Sequence, residues 1–311
     1  MRKYIFKRLL ISVITLLVII LVLFLMLQFM PGSPFNDEKL SADQVASMRR
    51  AYGLDKPIFV RFLIYVKKVL TGDLGVSYSI SQNTPITSLL GTRVPVSFRI
   101  GFYAVIIGAV IGLLLGIAAA VGHNSWVDSL CTVISVLGIS VPSYVIGLLL
   151  AYFFGYRAQL FPLLYDTSRS FVSSVLPTIA LSMFTMATVA RFTRTSMVEV
   201  LGSDYMLLAE SKGVTGPTLI FRHALRNVLV SVVTVLAPLI VDLMIGSLVI
   251  EQIFSIPGIG TLMVTSIQSN DYNVTIAISL IYSVMYIAVM LVVDILCGII
   301  DPRIRLTKSS S

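Results

Sequence analysis

The sequence predicts an all-α integral membrane protein with six transmembrane helices and an external helical segment after the first span. Three observations carry that expectation. Charged residues make up 12% of the chain, where soluble domains carry about 25%, and the mean hydropathy is +0.94. Apolar runs that match the roughly 20 helical residues needed to cross a hydrocarbon core of about 30 Å recur near 9–30, 97–121, 130–154, 173–197, 228–250 and 275–300. Lys and Arg are spread unevenly over the loops between these runs, as membrane topology requires.

The N-terminus, MRKYIFKRLLISVITLLVIILVLFLMLQFM, begins like a signal peptide. Its apolar run from Leu9 to Met30 exceeds the ~7–15 residues of a secretory h-region, and no A-x-A-like site follows, so it is expected to stay as the first span. The next segment, 31–96, looks ordered. In SADQ (41–44) Ser41 and Gln44 fit a capping box. Pro57 suits the first position of a second helix on which Phe59, Phe62, Leu63, Val66 and Leu70 keep helical spacing, with Arg61, Lys67 and Lys68 on the flank, until TGDLG (71–75) ends it. Two readings of that helix stay open: an amphipathic helix in the outer membrane interface, or a docking surface for an external partner.

Pro142, Pro177 and Pro238 fall inside spans, where neighbouring helices can satisfy freed carbonyls, so kinks rather than breaks are expected. The stretch 251–274 has no Lys or Arg and is rich in apolar residues, yet Pro257, Gly258 and Gly260 forbid a straight helix. A short re-entrant or surface-lying segment lining a cavity is expected there. Segment 31–99 is too long for the positive-inside rule. Without it, twelve Lys and Arg lie on the side of the N-tail, the 122–129 loop, the 191–227 segment and the C-tail, against two on the other side. Both termini are therefore expected to be cytoplasmic. The chain divides into a tail and first helix (1–30), an external segment (31–96), a five-helix core (97–300) containing the polar segment 198–227, and a tail (301–311).

The formal charge of +8 is spread too thinly for a nucleic-acid patch. Cys131 and Cys297 sit in apolar runs and read as small buried hydrophobes, and with His123 and His223 as the only histidines there is no metal ligand set. No H-E-x-x-H, G-x-S-x-G or paired-carboxylate arrangement suggests an enzyme, and the absence of any Gly-Lys pair excludes a phosphate-binding loop.

One polar stretch interrupts this apolar chain: DYMLLAESKGVTGPTLIFRHALRN, residues 204–227. Asp204 can cap a short helix ending at Lys212, with Gly213 free to turn left-handed, and Gly216-Pro217 can start a new helix into span five. Tyr205, Leu208, Ala209 and Lys212 share a face by helical spacing. Glu199, Asp204 and Glu210 balance Lys212, Arg222 and Arg226. Balanced charge beside a small apolar face favours a protein partner over anionic lipid, and an ordinary connector fits the same residues.

The stretch resembles the EAA-type coupling motif of ABC importer membrane subunits, in the form found in B-type permeases of oligopeptide and dipeptide importers. YGLDKPIFVRF and GDLGVSYS in the outer segment, ISVPSYVIGLLL in span three, EQIFSIPGIG after span five and the terminal DPRIR are similar to the same family in the same order. The resemblance implies a type I ABC importer permease fold, with the five later spans as transport core and the first packed outside. It implies that Asp204, Tyr205, Leu208, Ala209, Glu210, Ser211, Lys212 and Gly213 couple to a cytoplasmic ATPase, Ser211 standing where the family usually has Ala. It implies a bacterial plasma membrane location and, as partners, a second, C-type permease, two ABC ATPases that use ATP and magnesium, and an external peptide-binding protein. This chain would bind no cofactor itself.

Intramembrane carboxylates are functional candidates by default. Asp294 is expected to pair with Arg191 or Arg194. Asp242 has no basic neighbour in sequence and lies on a span that the family uses to line the pathway; cavity lining and contact with a peptide's amino group is the sharper reading. Tyr144, Met244 and Ser247 are further candidates for the path. The alternatives are a nickel-importing permease of similar B type, an ATP-independent channel or secondary transporter, and an intramembrane enzyme.

Overall fold

The computed structural model describes residues 2–29, 56–244 and 246–300, with the side chains of 2–5, 27 and 297–300 excepted. The capping box at 41–44, Asp301 and the DPRIR stretch lie outside these residues.

Helix α1 (Arg2–Phe29) is followed, after the undescribed stretch, by α2 (Ile58–Leu70). Pro57 precedes α2 in the cap position, one residue earlier than expected, and Gly72 takes a left-handed φ of 77° just beyond its end. Helix α3 (Ile86–Val121) starts eleven residues before the expected span and carries it across the membrane. Its partner is α6 (Ser170–Leu201), and the pair forms the centre of the bundle. Close approach is set by Gly108, Gly112 and Gly116, spaced i, i+4, i+8 on one face of α3. A Cβ on Gly108 would lie 2.8 Å from Thr185 Cβ, and one on Gly112 would lie 2.9 Å from Val189 Cβ. Small residues at this spacing let two backbones meet where lipid offers no hydrophobic drive for association.

Span three is broken. Helices α4 (Trp126–Ser140) and α5 (Ser143–Leu150) meet at 99°, and α5 runs on through a π-helical turn, Ala151–Arg157. Pro142 was expected to kink this span. It breaks it because its ring drives Val141 out of the helical region, to ψ 120°, while Pro142 itself sits at ψ 140°. Pro177 and Pro238, by contrast, stay inside continuous helices.

The polar stretch folds as α7 (Asp204–Ser211). A short turn at Gly216–Thr218 and a π-helical turn, Leu219–Ala224, then lead into α8 (Leu225–Met244). Thr215, not Gly216, takes the cap position of that turn, with Pro217 inside it. Helices α9 (Leu248–Ile253) and α10 (Ile259–Gln268) make a short hairpin, and α11 (Tyr272–Ile300) returns across the bundle. The hairpin packs its apolar side chains inward: Phe254 joins the cluster of Ile100, Leu176 and Ala180, and Ile259 that of Ile86, Leu90 and Val274. Five helices among the described residues are long and apolar enough to cross a bilayer, and the bent pair makes a sixth span if it counts as one. Helix α1 stands at the edge, packed on α2 and α11.

Candidate functional site

Helix α7 lies in the connection between the end of α6 and the start of α8. Ser203 holds the cap position with extended backbone, and its hydroxyl donates back to the Val200 carbonyl at 2.5 Å. Asp204 is thus in the first turn, where its charge faces the positive end of the helix, and not at the cap position expected for it. Met206 and Ala209 point inward, 1% and 9% exposed, into a cluster with Ala120, Val189, Met197, Leu219 and Val228. Tyr205, Leu207 and Leu208 point outward, 46%, 58% and 56% exposed. The face expected to unite Tyr205, Leu208, Ala209 and Lys212 is therefore split. The anchor is Met206 with Ala209, and the outer face gains Leu207.

The end of α7 is fixed by a Schellman turn. Gly213 N–H donates to the Glu210 carbonyl at 2.8 Å, Val214 N–H to that of Ala209 at 3.1 Å, and Gly213 takes φ 83°. The helix ends at Ser211, one residue before the expected Lys212, which becomes the cap. Ser211 Oγ donates to the Leu208 carbonyl at 2.8 Å, and Asn227 Nδ2 donates to Tyr205 Oη at 3.0 Å, tying the outer face to the start of α8. Glu210 and Lys212 flank it, both exposed. The result is a small, rigid apolar face with mixed charge at its rim.

The other candidates are scattered. Asp242 lines a cavity of about 470 Å³ between α1, α8 and α11, together with Arg8, Ser12, Thr15, Tyr282 and Asp294. Met244 is 6% exposed, its backbone packed against Gly101. Ser247 holds the N-cap position of α9 without a side-chain cap hydrogen bond, and Tyr144 is 45% exposed just past the α4–α5 elbow. Asp294 pairs with Arg8 at 2.9 Å, not with Arg191 or Arg194, because α11 packs on α1 and α8 and does not reach that part of α6. Arg194 instead binds Asp128 through both of its carboxylate oxygens, at 2.5 and 2.8 Å. Arg191 lies over the ring of Phe192, 5.8 Å from its centroid. A second cavity, of about 370 Å³, is lined by both arginines with Thr132 and Ser135.

Three buried carboxylates escaped sequence reasoning. Asp128, 4% exposed, also accepts from Asn124 N–H at 3.0 Å and so pins the 122–128 loop to α6. Glu251, 3% exposed, accepts from Ser97 Oγ at 2.7 Å, Thr261 N–H at 2.8 Å and Thr261 Oγ1 at 3.1 Å. Ser97 Oγ in turn accepts from Ile259 N–H at 2.9 Å. Asp271 is fully buried and gathers Ser77 Oγ at 2.5 Å with the N–H groups of Tyr78, Ser79 and Ile80 at 3.0–3.2 Å. The signal that could have found the last two was an acid standing alone in an apolar stretch free of basic residues, where only a remote donor set can satisfy it.

The described residues form a helical, multi-span bundle with one rigid, outward-facing helix between two spans. Residues 112–306 match the family model for binding-protein-dependent transport system inner membrane components, and residues 1–100 match the N-terminal model of such membrane components. The chain belongs to the binding-protein-dependent transport system inner membrane component family. It is 44% identical to the dipeptide transport system permease protein DppB of Lactococcus lactis, over 98% of this chain and 100% of that one. It is 40% identical to the Bacillus subtilis protein of the same name, over 99% of each chain. To the glutathione transport system permease protein GsiC of Salmonella typhimurium it is 35% identical, over 98% of this chain and 99% of that one. Among solved structures, a chain of the inward-facing MetNI methionine ABC transporter superposes with a TM-score of 0.58 at 14% identity, covering 69% of this chain and 97% of that one. That likeness shows a shared fold.

Proposed function

We propose that this chain is a B-type membrane subunit through which an ATP-driven importer moves dipeptides or oligopeptides across a bacterial cell membrane. The observation that carries the proposal is identity of 44% and 40% to two dipeptide permeases over essentially the whole chain. In this reading a second, C-type permease completes the pathway, an external peptide-binding protein delivers cargo, and two ABC ATPases use ATP and magnesium. The excess of basic residues on the side of α7 supports a cytoplasmic position for it and for both termini.

Helix α7 is the proposed coupling helix. Tyr205, Leu207 and Leu208 enter a groove on an ATPase, with Asp204, Glu210, Ser211 and Lys212 around them and Gly213 closing the helix. Turning a cavity from one side to the other, from 1:99 to 99:1, takes about 5.5 kcal/mol of differential binding. A loose loop would dissipate that. Met206 and Ala209, buried between α6 and α8, and the Schellman turn at Gly213 make a docked helix pull on both spans. Asp242, in the cavity beside α1 and α11, is the proposed contact for a peptide's amino group.

A pull-down from detergent tests the coupling. Wild-type chain is expected to retain an ATPase subunit and ATPase activity, and the Gly213→Pro, Leu208→Asp double variant to lose both at equal abundance. Retention by the variant would refute the coupling role. Uptake by the reconstituted transporter tests cargo: dipeptides are expected to compete with labelled dipeptide, while nickel ions do not, and competition by nickel alone would overturn the peptide assignment.

A further inference from the structure

Helix α2 has an apolar flank that no described part of the protein covers. Its inward stripe, Phe62, Tyr65, Val66 and Val69, packs on Ile20, Leu23, Ile276 and Leu280. The Phe24 ring sits 5.4 Å from that of Phe62 and 5.7 Å from that of Tyr65. At 3.6 residues per turn, Phe59, Leu63 and Leu70 fall within about 40° of one another on one flank. They are 67%, 52% and 75% exposed. Such a contiguous apolar surface marks an interaction site and not a wetted face.

The depth of α2 is set by its anchor. The apolar stretch of α1 runs from Phe6 to Met26, and Phe24 stands at its far end. Arg8 at the near end pairs with Asp294, on the side of the bundle where α7 lies, so α2 is held at the opposite boundary of the hydrocarbon. On α1, the helix that α2 packs against, Leu17, Val18, Leu21 and Val22 are 40–53% exposed, an apolar surface that suits lipid. Lys67 lies about 40–80° further round α2 from these three, between them and the exposed Val60 and Ile64, with no carboxylate partner among the described residues, whereas Lys68 has Asp73 at 3.5 Å. An exposed apolar face with a lysine set among its side chains suits the acyl-to-headgroup boundary, where the stem lies along apolar surface while the charge reaches up to water.

We infer that α2 lies flat in the membrane–water boundary opposite α7, with Phe59, Leu63 and Leu70 among acyl chains and Lys67 on the headgroup of an anionic phospholipid. The occupant is lipid and not an external protein. The native chain has a single tryptophan, Trp126, so Trp126→Phe with Leu63→Trp makes position 63 the sole reporter. The full chain is placed in lipid vesicles of phosphatidylcholine or phosphatidylglycerol, with and without bromine near the headgroup end of the acyl chains. Shallow bromine is expected to quench the reporter's emission. The quenching should be deeper in phosphatidylglycerol, and that excess should vanish with Lys67→Gln. Equal quenching in both lipids overturns the headgroup contact. No quenching by bromolipid overturns the whole inference, whether aqueous acrylamide reaches the site (an open face) or not (a protein-covered face). Phe59→Trp, one turn away on the same flank, serves as reporter if the Leu63 variant does not fold, and the same outcomes apply to it.

Discussion

Removing the Glu251 carboxylate should loosen the whole turn from α8 to α11. In Glu251→Ala the Thr261 hydroxyl is not stranded, because the Ile256 and Gly258 carbonyls already lie 3.2 and 3.1 Å away. Thr261 N–H and the Ser97 hydroxyl lose their acceptor, and Ser97 is 2% exposed. Two buried donors left unpaired cost about 1–3 kcal/mol each, so about 2–6 kcal/mol in all. Glu251→Gln keeps one acceptor oxygen but turns an NH₂ group towards either Ser97 or Thr261 N–H, so roughly half of that loss is expected. The assay is thermal loss of the monodisperse peak in detergent, with abundance matched. At ~2 °C per kcal/mol for a chain of this size, Ala should lower the midpoint by about 4–12 °C and Gln by about half as much. A wild-type midpoint in Glu251→Ala would refute the clamp, and a Gln variant as unstable as Ala would refute the division between the two oxygens.

Other outcomes follow from packing and pairing. Gly112→Leu should drive α3 from α6, since even a Cβ at that position would sit 2.9 Å from Val189 Cβ; the measurement is the yield of monodisperse protein, and a normal yield would count against the glycine contact. Asp271→Ala should free the backbone of Tyr78, Ser79 and Ile80, read as faster hydrogen exchange at these residues, with Asp271→Asn between it and wild type. Breaking the Asp128–Arg194 pair from one side should be destabilising, though by less than the ~3–5 kcal/mol of a fully buried pair, because it takes away each charge's main partner while Arg194 is 31% exposed and Asp128 keeps His123 Nδ1 at 3.3 Å. In a double-mutant cycle Asp128→Asn with Arg194→Gln should therefore be less destabilised than either single variant, and simple additivity would show that the pair is not coupled.

Much of this molecule is settled locally. Hydropathy locates the apolar stretches, because a segment of sufficient apolar length partitions into hydrocarbon whatever its neighbours do, though not the break at Pro142 or the early start of α3. The short helix at 204–211 and the left-handed Gly213 follow from capping chemistry that acts within a few residues. Which residues meet across the bundle does not. Pro142 breaks its span while Pro177 and Pro238 do not, and all three read alike in sequence. Asp294 finds Arg8 on a helix nearly the whole chain away, Ser97 and Glu251 are 154 residues apart, and Ser77 and Asp271 are 194 apart. On α7, helical spacing grouped Ala209 with Tyr205 and Leu208, but the neighbours α6 and α8 chose Met206 and Ala209 to bury. A buried polar or charged group must be satisfied by whatever the fold brings to it, and that choice is made by the packing of helices and not by the order of residues.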